Sequence, residues 1–322
     1  MSDTRPAGDA APRSFVVAGE SLVDIVVPAD GGPQHHAVGG SCLNVAVGLA
    51  RLDVPTLLVT RLGDDELGST VLEHVHASGV RLADDAVVPG GRTSTATAHL
   101  DEERAATYDF ELDWDLPRQP LPPDVLGIHV GSLGAALEPG RASILDLVRR
   151  AAEAEVFVSY DPNIRPFFLD DAETAWRDLC EVASNARLVK LSDEDLRLVR
   201  PDTDEESVCR ELLAAARTEL VVLTRGAHGA RAFTEGDTVS VPAPPSDVVD
   251  TVGAGDSFMA AMLAMLCDWD VVAGGEGALA ALDDTHVGIL VSGAVTAAAV
   301  TCSRRGANPP TRAELPPTWP AG

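Results

Sequence analysis

Lysine is all but missing from this chain. Of 322 residues 24 are basic and only Lys190 is a lysine, so the loop Gly-x-x-x-x-Gly-Lys-Ser/Thr, whose lysine grips nucleotide phosphates, cannot be present. Basic residues as a class are scarce as well. Against 50 acidic side chains they leave a net charge of −26, which opposes binding to nucleic acid or to an anionic membrane surface, and neither partner is expected. Cysteine is sparse. Cys42, Cys180, Cys209, Cys267 and Cys302 are odd in number and never form Cys-x-x-Cys, which argues against a disulfide framework or a zinc site and fits a reduced cytoplasm. Residues 1–13 lack an apolar signal core, and the most apolar helical stretch, Val287 to Cys302, is short and rich in Thr, Ser and Gly for a bilayer span, so a soluble protein is expected. His35 and His36 have no nearby Cys or carboxylate partners and read as a solvated turn, not a metal site. No Gly-x-Gly-x-x-Gly follows the first strand, against a dinucleotide-dependent oxidoreductase.

What is present is enough for a large core: 45% of residues are hydrophobic, suiting one large α/β domain with a small appendage. Strand patterns at Ser14–Gly19, Leu22–Pro28 and Thr56–Thr60 alternate with helical patterns at Cys42–Leu52 and Asp65–Ser78. From Gly127 the alternation resumes, with strands at Gly127–Val130, Val156–Tyr160, Leu188–Leu191 and Glu219–Thr224 and helices at Arg141–Ala154, Ala172–Ala183 and Glu205–Ala216. This order predicts a mostly parallel sheet between helical layers. Between Arg92 and Trp114 two alternating segments flank the turn Asp101–Arg104; they read as a β-hairpin and a candidate lid. A short β-rich patch at Gly229–Thr234 and Thr238–Pro242 then leads to Ser246–Asp250, which has strand character.

The next residues are the most informative. Asp250-Thr251-Val252-Gly253-Ala254-Gly255-Asp256-Ser257-Phe258 runs directly into the apolar helical run ending at Leu266. Unpaired amides and the positive end of the helix dipole make such a start an anion site. An acidic side chain at Asp256 makes little sense for merely holding phosphate, but it suits a base that takes the proton of a substrate hydroxyl during phosphoryl transfer. A glycine-rich turn followed by a helix-favouring acid is the plainer alternative.

Ligands collect at the carboxyl ends of strands in such a sheet, and the polar residues there fall into a few groups. Gly39-Gly40-Ser41-Cys42-Leu43-Asn44 opens a helix with an amide suited to a polyhydroxylated ligand, or with an ordinary solvated Asn. Asp24, within a strand, needs partners such as sugar hydroxyls or an edge position. Gly63–Gly68 reads as a turn and helix cap. Asp161-Pro162-Asn163-Ile164-Arg165 offers an acceptor, an amide and a guanidinium that could fork onto phosphate. Lys190 to Asp195 sets the one lysine beside three acids; Glu194 or Asp195 could serve a hydrated magnesium, or Ser192 could simply cap a helix whose first turn is acidic. Thr224-Arg225-Gly226-Ala227-His228-Gly229 ends another strand in a glycine turn.

These residues, in this order, resemble the PfkB family of carbohydrate kinases. Gly39-Gly40 with Asn44, Ala46, Ala50 and Gly63-Asp64-Asp65 with Gly68 resemble its first signature, Asp250–Phe258 resembles its second, and the match runs from about Phe15 to Pro310. The resemblance implies a ribokinase-like sandwich over residues 14–312, a lid from segments near 22–38 and 92–114, and tails at 1–13 and 313–322. It implies Asp256 as base and the backbone of Gly253, Ala254 and Gly255 as anion hole. It places Asp24, Gly39, Gly40, Asn44 and Arg165 on the sugar, and Asn163, Lys190, Ser192, Thr224, Arg225, Gly226 and Gly229 on ATP. Ser192 and Asp195 stand where the family often has Asn-x-x-Glu, a motif tied to Mg²⁺ and phosphate. Carbonyls of Asp250, Val252, Thr301, Arg304 and Gly306 match a K⁺ site. The motifs look closest to bacterial fructokinases. Ketodeoxygluconate kinase, ribokinase, nucleoside kinase and a non-catalytic sensor are the competing readings, and a homodimer through the lid is the expected assembly.

Overall fold

The computed structural model describes residues 13–317 and 319 apart from 102, 104 and 105. The expected tail over 1–12, most of the hairpin tip and the final residues therefore lie outside the described residues. Strands β1 (Ser14–Ala18), β4 (Thr56–Val59), β6 (Arg81–Leu82), β10 (Val125–Gly131), β11 (Phe157–Asp161), β12 (Leu188–Ser192), β13 (Leu220–Thr224), β14 (Ala230–Phe233) and β15 (Thr238–Val241) form one nine-stranded sheet. Its order is β15-β14-β13-β12-β11-β10-β1-β4-β6, and all pairings are parallel except β13 with β14 and β14 with β15. The remaining strands are β2 (Leu22–Val27), β3 (His35–Gly39), β8 (Thr95–Leu100) and β9 (Ala106–Glu111), which make a separate four-stranded sheet, and the pair β5 (Leu62–Gly63) and β7 (Val87–Val88). The hairpin expected around residues 93–112 is the β8–β9 pair, and it joins β2 in parallel.

Helices α1 (Ser41–Arg51), α2 (Glu66–Ala77), α8 (Ala254–Asp268) and α9 (Asp284–Cys302) cover one face of the large sheet. α4 (Gly140–Glu153), α5 (Ala172–Ala183), α6 (Asp193–Val199) and α7 (Glu205–Leu213) cover the other, and the short α3 (Ser132–Ala136) follows β10. Period-two alternation divides each strand between two cores: Phe15, Val17 and Phe157 face α8 while Val16, Ala18 and Val158 face α4. α8 is apolar all round because it is enclosed, whereas α9 is buried along one side and leaves Asp284, Thr285, His286 and Ser292 exposed. α9 is long and apolar enough to cross a membrane by length and composition, and here it packs against α8 and the β14–β15 edge.

Three expectations change. Ser246–Asp250 is not a strand: the amides of Val249 and Asp250 donate to the Cys302 carbonyl at the end of α9, so the segment ties two loops together instead of joining a sheet. His35 and His36 lie in β3, exposed, and not in a turn. Leu315 and Trp319, placed by sequence in a terminal tail, pack into the α8–α9 core. Asp65, read as a cap, does cap α2, accepting from Gly68 N at 2.8 Å.

The feature that matters most for the site is the α1–α8 contact. A Cβ at Gly48 would sit 2.6 Å from the Ala260 Cβ, so the two helices touch closely only because that position has no side chain. Gly48→Val is expected to lower the unfolding free energy by about 1–3 kcal/mol through overpacking, measured by urea denaturation. Gly236→Ala, where a Cβ meets open space, should leave the midpoint nearly unchanged.

Candidate active site

The site begins where β1 hands over to β2. Glu20 lies buried just past β1, with its carboxyl pushed up by burial. Its Oε1 accepts from Ser41 N at 3.1 Å and its Oε2 from Gly134 N at 2.8 Å, so an otherwise orphaned first-turn amide of α1 finds a partner. Gly40 makes this entry possible: its φ is 109°, and a Cβ there would lie 2.6 Å from the Glu20 carbonyl oxygen. Ser41 and Asn44, one helical turn apart, then face the same direction.

They face the start of α8. Gly253, at φ 75°, caps that helix. The Ala254 amide donates to Thr251 O at 3.2 Å, and among the described residues nothing accepts from the amides of Gly255 or Asp256. Two amides at a helix N-terminus are therefore available to an anion. Asp256 is 5% exposed. Its Oδ1 accepts from Ser41 Oγ at 2.7 Å and its Oδ2 from Asn44 Nδ2 at 2.8 Å.

A buried ion pair lies beneath the turn. Lys190 Nζ donates to Asp161 Oδ2 at 2.6 Å, both side chains almost wholly enclosed, and Nζ lies 3.4 Å from where a Gly255 Cβ would be. Burial works to lower the lysine pKa, but Asp161, Asp195 and Asp256 together carry it above its ordinary value. Burial pushes the Asp161 carboxyl up to about 6 despite Lys190. Asp161 Oδ1 has no hydrogen-bond partner among the described residues. His129, deeper on the same face, is pushed down to about 3 by burial and by Lys190 and so stays neutral, its Nδ1 3.0 Å from Ser159 Oγ.

Two cavities of about 660 Å³ each meet at Thr224, Gly226, Thr251 and Gly255. The first is polar and runs from Asp256 to the lid, where Leu22, Asp24, Ala96 and Phe110 close one wall. The second is apolar and lies between the glycine turn at Gly226–Gly229, Ala243–Pro245, Val248 and the α8–α9 surface.

The residues assigned from the sequence distribute over these cavities. Asp24, Gly40, Asn44, Asn163, Arg165, Lys190, Ser192, Glu194, Asp195, Arg225 and Val252 line the polar one, and Gly229 and Ala254 the apolar one. Asp24 is half-buried, its carboxyl raised by burial and opposed by the exposed Arg165. Gly39 leaves the space Asp24 fills, since a Cβ there would be 2.3 Å from Asp24 Oδ2. Asn163, assigned to the nucleotide from sequence, donates to Ser41 Oγ at 2.9 Å, beside Asp256. Asp195 caps α6 with Ser192 and also accepts from Ile164 N, so both its oxygens hold protein donors. Arg225 pairs with Glu205 at 3.3 Å. Gly306 N donates to Asp250 Oδ2 at 2.9 Å, which brings the Asp250–Val252 and Thr301–Gly306 segments together. Sequence reasoning left Glu20, Ser41 and Asp161 unassigned, although all three stand at a strand end or helix start, where its own rule directs attention.

Lys190→Met should strip Asp161 of its counter-charge and cost about 3–5 kcal/mol at pH 8. A carboxyl whose folded pKa lies above its ordinary 3.8 holds its proton longer when folded, so stability falls as pH rises through that window. Urea melts should therefore show a smaller loss at pH 5, and an equal loss at both pH values would contradict the buried-pair account.

Comparison with known proteins agrees with this geometry. Residues 13–314 match the pfkB family carbohydrate kinase domain. A fructokinase of Rhizobium leguminosarum bv. trifolii is 35% identical over 265 residues, covering 78% of this chain and 79% of its own. A fructokinase of Klebsiella pneumoniae is 35% identical over 261 residues, covering 78% and 83%. Among solved structures, fructokinase from Xylella fastidiosa with bound ATP superposes with a TM-score of 0.80 at 25% identity, covering 91% of this chain and 93% of its own. The chain belongs to the pfkB family of carbohydrate kinases, ATP-dependent enzymes that phosphorylate sugars.

Proposed function

We propose that this protein transfers the γ-phosphoryl group of ATP to the primary hydroxyl of fructose. The observation that carries the reading is the position of Asp256, in the polar cavity next to Gly255 where the apolar one meets it, and beside two helix amides unpaired among the described residues. Nucleotide in the apolar cavity would bring its terminal phosphate to those amides. Sugar in the polar cavity would bring a hydroxyl to the carboxylate. The hydroxyl oxygen attacks the γ-phosphorus, the bond to the β-phosphate bridging oxygen breaks, ADP leaves, and the proton passes to Asp256. The Gly255 and Asp256 amides and the Lys190 ammonium beneath them offset charge on the phosphoryl group in flight.

Lid residues favour a neutral acceptor. Leu22, Ala96 and Leu133 form a small apolar cluster with Phe110 and Phe168 packed on it, a poor setting for a carboxylate or phosphate on the sugar. This disfavours ketodeoxygluconate, and the fructokinase names of the relatives at 35% identity point the same way. A silent sensor would have no use for a carboxylate held by two donors against an anion site.

The oxygens near α6 suit a hydrated Mg²⁺: Glu194 is exposed in the cleft, and Asp195 Oδ1, which accepts one protein donor, keeps a lone pair for water. Bound there with the nucleotide phosphates, the ion would neutralise their charge. The joined loops at Asp250, Val252, Thr301, Arg304 and Gly306 supply backbone carbonyls for K⁺. Five free cysteines fit a cytoplasmic enzyme. β3 and β9 are both edges of the lid sheet, and pairing of such edges would build a homodimer.

A coupled ADP-release assay over fructose, ribose, ketodeoxygluconate and nucleosides should give the highest kcat/KM with fructose. Asp256→Asn should bind fructose as the parent does while its kcat falls roughly 10²–10⁴-fold. Near-normal turnover in that variant, or no ADP release with any sugar, overturns the reading.

A further inference from the structure

We infer that Ser41 is a positioning residue that, with Asn163 behind it, fixes the plane of the Asp256 carboxylate. The inference rests on the phosphotransfer reading above and concerns a side chain that reading does not use. The torsion that turns a carboxylate about its last bond is soft and broad, so a base buried at a helix start needs donors on its oxygens to hold one orientation. Asp256 has one on each: Asn44 Nδ2 on Oδ2 and Ser41 Oγ on Oδ1. Both come from the first turn of α1, and the carboxylate's other lone pairs are left for a ligand in the cleft it lines.

Ser41 is itself fixed from two sides. Glu20 holds its amide. Its hydroxyl has a single proton, and because the Asn163 amide donates to Oγ at 2.9 Å while a carboxylate can only accept, that proton points at Asp256. Asn163 has a φ of 38°, on the left-handed side that Asn tolerates better than most residues. The next amide, Ile164 N, is anchored on Asp195 Oδ1 at 2.7 Å. Strain of this kind persists where surrounding contacts over-determine it, and it gathers at functional sites. The bonds thus run from the capped start of α6 through the 161–165 loop to Ser41 and the base. All the donors on Asp256 are neutral, so they orient the carboxylate without the cation that would most oppose its taking a proton.

The test is a cycle of variants assayed for ATP- and fructose-dependent ADP release. Ser41→Ala should lower kcat about ten- to a hundredfold, the scale of misplacing a catalytic group, while KM for ATP stays within about twofold of the parent. Ser41→Thr, which keeps the hydroxyl, should recover most of the loss. In an Asp256→Asn background the same Ser41→Ala change should alter the residual turnover by less than about twofold, because residues acting as one unit are not additive. Unchanged kcat in Ser41→Ala, or an equal fractional loss in both backgrounds, overturns the positioning role while leaving the kinase reading intact. A parent enzyme that releases no ADP with any sugar overturns both. Thermal melts of each variant separate a folding defect from a kinetic one, and a loss of kcat explained by unfolded protein also overturns the role.

Discussion

The site depends on a contact between two helices whose bonded residues are 212 and 215 positions apart in the chain. α1 carries Ser41 and Asn44, α8 carries Asp256, and the bonds between them at 2.7 and 2.8 Å exist only because the helices pack side by side. That approach is permitted by the missing side chain at Gly48 against Ala260. Close packing of this kind transmits small displacements, since a protein interior has no slack to absorb them. A change well away from the cleft, in the body of either helix, would therefore reach Asp256.

Charge is arranged around that contact with unusual economy. The polar cleft is lined by seven acids, Glu20, Asp24, Asp161, Asp193, Glu194, Asp195 and Asp256, and among the described residues by three cations, Arg165, Lys190 and Arg225. Each buried acid is reconciled with its surroundings differently. Glu20 has backbone amides, Asp161 has the lysine, Asp195 has a capping box and a loop amide, and Asp256 has neutral side-chain donors. The differences follow function. The lysine is taken up by Asp161 and stays beneath Gly255 as fixed positive charge, whereas Asp256 has no direct cationic partner among the described residues, as the proposed base requires.

The separation of one polar and one apolar cavity follows from topology. In a parallel sheet every strand delivers its polar end to the same edge, and here those ends are Glu20, Gly131, Asp161, Ser192 and Thr224. The apolar cavity arises where the sheet turns antiparallel at β14 and the proline-rich connection Ala243–Pro245 crosses toward α9. The lid supplies the remaining wall. Its Phe110 packs against Phe167 and Phe168 of the 161–168 loop, with ring centroids 4.6–5.2 Å apart among the three, so lid and loop are joined through the same segment that bears Asn163.

Much of this was legible in the residues. Hydrophobic periodicity located nearly every element of the large sheet, because strands buried between two helical layers must be apolar on both faces and helices on one. The hairpin, the Asp65 cap and the glycine turn before Asp256 were legible for the same local reason, since turn chemistry and capping act over a few residues. Local propensity also misled. Val248 and Val249 read as a strand, but the amides of Val249 and Asp250 donate to the Cys302 carbonyl, more than fifty positions away. What the chain determined by itself was therefore its elements, its family and the glycine turn that sets Asp256 at the start of a helix. Tertiary structure alone decided that Asn163 donates to Ser41, that the single lysine is locked to Asp161, and that Ser41 donates to Asp256. Those are pairings between residues 29 to 215 positions apart. No short-range pattern encodes them; they exist only once the packing of α1 on α8 and the order of the strands have brought their backbones within hydrogen-bond reach.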